Sequence, residues 1–244
     1  MRRRDLAFLG LTALALAAAV PPVLALLRSG RHFDYYSHIP MIPAVSAYLV
    51  FRRRREMFRG TASLRAPGAA LMLAGAGLFV AVSALSFEVV GRATGAALAA
   101  LVFWWGAYLT LYGKGGSRRA VFPLAFLLFA VPVPVAVMER VIAVLVAGST
   151  FMTQVLFEGF GVPFVREGAL FRLPGFNIEV AEQCSGIRSS LALLVTTVVA
   201  GQIFLRRPLQ RGLLALAVFP VALFKNAVRI ITLYLLSYFV DIRI

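Results

Sequence analysis

The 244-residue sequence predicts an all-α fold, a polytopic bundle of transmembrane helices. Three observations lead there. Hydrophobic residues make up 61% of the chain, far above the share in an ordinary soluble domain. Several apolar runs approach or exceed about 18 residues, the length a helix needs to cross a hydrocarbon core roughly 30 Å thick. The runs are also continuous, without the alternation of a membrane barrel strand, and backbone polar groups in lipid are satisfied only inside helices or a closed barrel.

Seven spans follow in order, at 6–27, 38–51, 67–87, 93–112, 120–147, 186–204 and 212–240. The first begins "MRRRDLAFLG", like a signal peptide, but its apolar stretch runs to Leu27 and further spans follow, so it reads as a retained helix. The second is short, with Tyr35, Tyr36 and Arg52 at its ends as interface anchors. The fifth contains Pro132 and Pro134 and should kink or break there. The last contains Pro220. Split into two hairpin helices, it would give arms of about 21 Å, too short to cross, whereas one helix of about 43 Å is ample. It is therefore read as a single bent helix.

The net charge of +15 first suggests nucleic acid. The arginines, however, stand in short blocks between apolar runs, which fits the positive-inside rule instead. Connections assigned to the cytoplasm (Arg2 to Arg4, Arg52 to Arg65, Lys114 to Arg119, Arg206 to Arg211) carry fifteen basic residues, and the opposite set carries six. This alternation puts the N-terminus in the cytoplasm and the connection 148–185 outside. That connection has Gly/Pro punctuation and short alternations such as "NIEVAEQ", consistent with strand pieces. Its Phe151, Phe157, Phe160 and Phe164 suggest packing on the membrane surface. It is too small for an independent domain, so 1–244 is read as one integral-membrane domain.

The chain has a single cysteine, Cys184, which excludes an intramolecular disulfide. A lone thiol is commonly a small buried hydrophobe. Here it precedes a helix, where unpaired N–H groups and the macrodipole stabilise an anion. Arg188 follows four residues later, and Arg229 arrives from another helix at similar depth. Cations at that distance lower a thiol pKa. Lys225 and Arg229 share one helical face, and charges within spans commonly line a functional cavity, although those near helix ends also snorkel to water. Asn226 stands one turn from Arg229 and could orient its guanidinium or cap backbone carbonyls. Glu139 is expected in an ion pair with Lys225 or Arg229. His38 titrates near neutral pH and could act as a base, or simply cap or anchor the second span. No metal or cofactor set is evident.

The blocks "EVAEQCSGIRSS", "KNAVRI", "FLLFAVPVP", "VPFVREGALFRLPG" and "YYSHIPMIPAVSAYLVFRRR" together resemble the exosortase/archaeosortase family, over about residues 35–240 and in the same order. The resemblance implies an integral-membrane cysteine transpeptidase or protease of the cytoplasmic membrane. It would cleave exported proteins whose C-terminal signal has a short motif, an apolar span and a basic tail. By resemblance, Cys184 is the nucleophile and Arg229 its partner, working at the extracytoplasmic face. The acceptor is water or an amine, such as one on an envelope polysaccharide or lipid. The family's third residue, usually histidine, belongs near the start of a further helix. Neither Asp241 nor Arg243 matches it well, so that residue and an eighth span are expected beyond Ile244.

The competing class is a transporter or assembly protein for lipid-linked polysaccharide, with Lys225 and Arg229 holding phosphate. It requires nothing of Cys184. A non-catalytic binding module that keeps the fold is a third reading.

Overall fold

Long apolar helices dominate the computed structural model, which describes residues 3–29, 33–58, 64–174, 176–180 and 187–240. Among them, six helices are long and apolar enough to cross a membrane, joined by a shorter apolar helix over 120–130. This is the expected all-α membrane bundle with a minor sheet. Packing divides the chain into two compact units, Met1–Val135 and Ala136–Ile244.

The first unit holds α1 (Arg3–Arg28), the single turn α2 (Phe33–Tyr36), α3 (Met41–Met57), α4 (Arg65–Ala84), α5 (Val89–Phe126) and a 3₁₀ turn (Leu127–Ala130). Gly113 kinks α5 with φ at 67°, a left-handed value that a residue without Cβ adopts at no steric cost. Helices α4 and α5 meet backbone to backbone. A Cβ added to Gly75 would lie 2.5 Å from the Phe103 nitrogen, and one on Gly106 would lie 2.6 Å from the Met72 nitrogen. Such close approach drives association where lipid offers no hydrophobic gain. At the end of the unit near Met57, Phe8, Phe58, Tyr108 and Tyr112 stack mostly edge to face. The Tyr108 hydroxyl donates to the Met57 carbonyl at 2.8 Å.

One expectation for this unit is met and one changes. The predicted span 120–147 breaks where its prolines stand, the chain leaving helical geometry at 131–134 before α6 begins at Val135. Side chains distant in sequence satisfy the freed carbonyls, as hydrocarbon requires. Thr94 donates to the Pro132 oxygen at 2.8 Å and Tyr36 to the Val133 oxygen at 2.8 Å. Tyr36 is accordingly a buried clamp, 1% exposed, rather than an interface anchor.

The second unit contains α6 (Val135–Gly159), three strands, α7 (Ile187–Phe204) and α8 (Pro208–Val240). Helix α8 is unbroken over 33 residues through Pro220, the single helix that the length argument selects. Helix α6 runs past residue 147 to Gly159, so the connection begins about twelve residues later than predicted. Its strand pieces form an antiparallel sheet in the order β1 (Val165–Glu167), β2 (Leu170–Leu173), β3 (Phe176–Glu179), with Phe171 paired to Ile178. Phe157, Phe171, Leu173 and Val180 pack with Ile230, Ile231 and Tyr234. The sheet is thereby fastened to α6 and α8 through side chains. Phe164 joins this cluster, whereas Phe151 and Phe160 are exposed, so the four phenylalanines do not share one role.

Candidate functional site

The second unit brings most of the predicted site residues onto one stretch of α8 and the first turn of α7. Helix α7 begins at Ile187, three residues after Cys184. Cys184 itself lies in 181–186, outside the described residues. Val180 is 2% exposed, donates its backbone N–H to Ala169 at 2.9 Å, and packs in the cluster with Ile230, Ile231 and Tyr234. Ile187 is buried. Two residues further, Ser189 accepts a 2.6 Å hydrogen bond from Lys225 Nζ. Both flanks of the cysteine segment therefore contact α8, one at Lys225 and the other at 230–234.

Between those contacts lie Asn226 and Arg229. Arg229 is exposed and has no hydrogen bond or ion pair among the described residues. Asn226 is buried, 3% exposed, and among the described residues its Nδ2 has no hydrogen-bond partner. No hydrogen bond joins the amide to the guanidinium, as the sequence suggested one could, and the amide caps no described carbonyl through that nitrogen. Arg188 is exposed on the first turn of α7. The resulting wall, formed by Lys225, Asn226 and Arg229, offers hydrogen-bond donors and positive charge. It suits an anion or a polarised carbonyl oxygen. Among the described residues no group of three or more His, Cys, Asp or Glu could hold a metal ion.

Glu139 does not join this wall. A Cβ at Gly148 would meet the Leu223 side chain at 2.8 Å, and the rings of Phe157 and Tyr234 meet at 5.5 Å. Helices α6 and α8 thus run the same way, with Arg229 level with about residue 153. At 1.5 Å per residue, Glu139 lies about 20 Å back along α6. It is exposed, and no ion pair joins it to a described residue. The expected pairing assumed that Glu139 stood in the outer half of a span ending at 147; in fact it stands in the second turn of a helix that starts at Val135.

His38 belongs to the first unit, in the turn between α2 and α3. Its imidazole stands near the backbone at Tyr35 and Phe129. The sequence reading missed Ser189 as the partner of Lys225. It also missed the buried hydroxyls Ser149, Thr150 and Thr153 on α6, because it assigned them to the loop.

Compared with known protein families, residues 30–244 match the family described as transmembrane exosortase. No curated protein and no solved structure matches the chain.

Proposed function

The chain belongs to the transmembrane exosortase family, and on that footing we propose that it is a cysteine transpeptidase or protease acting on the C-terminal sorting signals of exported proteins. Both units form one integral-membrane domain in this reading, since the family match crosses from one to the other. The protein resides in the cytoplasmic membrane with its N-terminus inside and its site on the extracytoplasmic face, as the distribution of basic residues argues.

The observation that carries the reading is the attachment of both flanks of 181–186 to the stretch of α8 that bears Arg229. In the proposed reaction the Cys184 thiolate attacks the carbonyl carbon of the scissile peptide. Arg229 stabilises the thiolate and then donates to the developing oxyanion. Collapse forms a thioester and breaks the C–N bond, and the departing amine takes a proton from the family's third residue. Water or an acceptor amine on an envelope polysaccharide or lipid then attacks the thioester and returns the thiol.

The test is processing of a tagged exported substrate in cells carrying variants. Cys184→Ala should abolish cleavage, and Arg229→Ala should reduce it by about 10²–10³-fold. Normal cleavage by the Cys184→Ala protein would sink the proposal and favour a transport or assembly role.

A further inference from the structure

The carboxamide of Asn226 is sequestered from solvent, and among the described residues its Nδ2 has no hydrogen-bond acceptor. A buried unsatisfied donor is costly, and such groups in native proteins commonly mark a ligand, a water or a catalytic role. The surroundings narrow the choice. Asn226 is flanked on α8 by Lys225 and Arg229, whose side chains only donate. The described carboxylates of this unit are engaged elsewhere or carried elsewhere. Glu158 accepts from Gln154, Glu167 pairs with Arg172, Glu139 stands far along α6, and Glu179 is exposed on β3. Among the described residues the wall therefore supplies donors, and none of these carboxylates meets Asn226 Nδ2.

We propose that Asn226 is a further substrate-binding donor, its Nδ2–H group hydrogen-bonding the carbonyl oxygen of the peptide under attack, alongside Arg229. The inference rests on the reading above and deepens it. Arg229 contributes charge from an exposed position. Asn226 contributes a neutral donor held rigid by burial, and a preorganised donor in a water-poor site is the more effective for it.

The rival occupant is a water bridging Asn226 to Ser149, whose Oγ is also buried without a partner among the described residues. Ser149 precedes Phe157 by eight residues and Asn226 precedes Tyr234 by eight, so the two stand at one level beneath the Phe157–Tyr234 contact. A bridging water makes the two side chains equivalent, whereas a substrate donor does not.

The experiment measures cleavage kinetics and melting temperature of the full-length protein in detergent for Asn226→Ala, Asn226→Leu, Asn226→Asp and Ser149→Ala, with Cys184→Ala as control. Asn226→Ala and Asn226→Leu should lose about 10²–10³-fold in kcat, with melting temperatures unchanged or raised, since no internal bond is lost. Asn226→Asp keeps the shape but loses the donor when ionised, so its activity should climb as pH falls and the carboxyl regains a proton. Ser149→Ala should cleave within about threefold of the parent. Activity of the Asn226 variants within threefold of the parent overturns the inference. So does a matching loss in Ser149→Ala, or a fall in melting temperature that accounts for the lost activity. If Cys184→Ala still cleaves, the transpeptidase reading fails and this inference with it; if only the Asn226 variants stay active, the transpeptidase reading stands alone.

Discussion

Lys225 Nζ donates a 2.6 Å hydrogen bond to Oγ of Ser189, joining α8 to the first turn of α7. Nine residues on, Tyr234 packs in the cluster that includes Val180. The two contacts lie about 14 Å apart along α8, and Arg229 falls between them. Together they attach the described flanks of the only cysteine-bearing segment to the helix that carries the cation.

That attachment predicts a titration. Because Cys184 is the single thiol, its alkylation by a membrane-impermeant reagent can be followed without other substitutions. A cation near a thiol favours the thiolate, so Arg229→Ala should move the pH of half-maximal alkylation up by about 1 unit. An unchanged midpoint would separate the guanidinium from the thiol.

The aromatic cluster predicts a second effect. Phe157 is fully buried against Phe164, Phe171 and Tyr234. Phe157→Ala should cost about 3–5 kcal/mol and loosen the sheet from α8. Limited proteolysis should then cut within 160–180 much faster than in the parent, and substrate cleavage should fall with it.

Helix packing supplies a matched pair. Gly75→Ala drives a Cβ into the Phe103 nitrogen and the Ala99 oxygen, at 2.5 and 2.8 Å, and should destabilise by about 1–3 kcal/mol. Nothing lies within 4 Å of a Cβ on Gly10, so Gly10→Ala should be neutral or stabilise by up to about 1 kcal/mol. Thermal unfolding in one detergent reads both.

Local patterns made much of this protein legible. The apolar runs marked the helices, the predicted span 186–204 placed the start of α7 to within one residue, and crossing length alone kept α8 whole through Pro220. The donor residues of the site, Lys225, Asn226 and Arg229, stood out because charged and amide groups are conspicuous in an apolar run. The prolines marked the break at 131–134, although Thr94 and Tyr36, which hold the Pro132 and Val133 carbonyls from 38 and 97 residues away, were not legible as its partners. The error lay in ending the span at 147, when the helix after the break runs from Val135 to Gly159. It put Glu139 beside the site and hid Ser149, Thr150 and Thr153 in a loop.

From sequence alone came the solvent of the fold and the residues able to do its chemistry, because hydropathy and side-chain type are local properties. Only the tertiary structure decided which backbone groups were satisfied from afar, that Phe157 holds the sheet to α8, and that Asn226 Nδ2 is enclosed without an acceptor among the described residues. Those depend on which helices lie side by side, and burial and hydrogen-bond satisfaction follow from that adjacency.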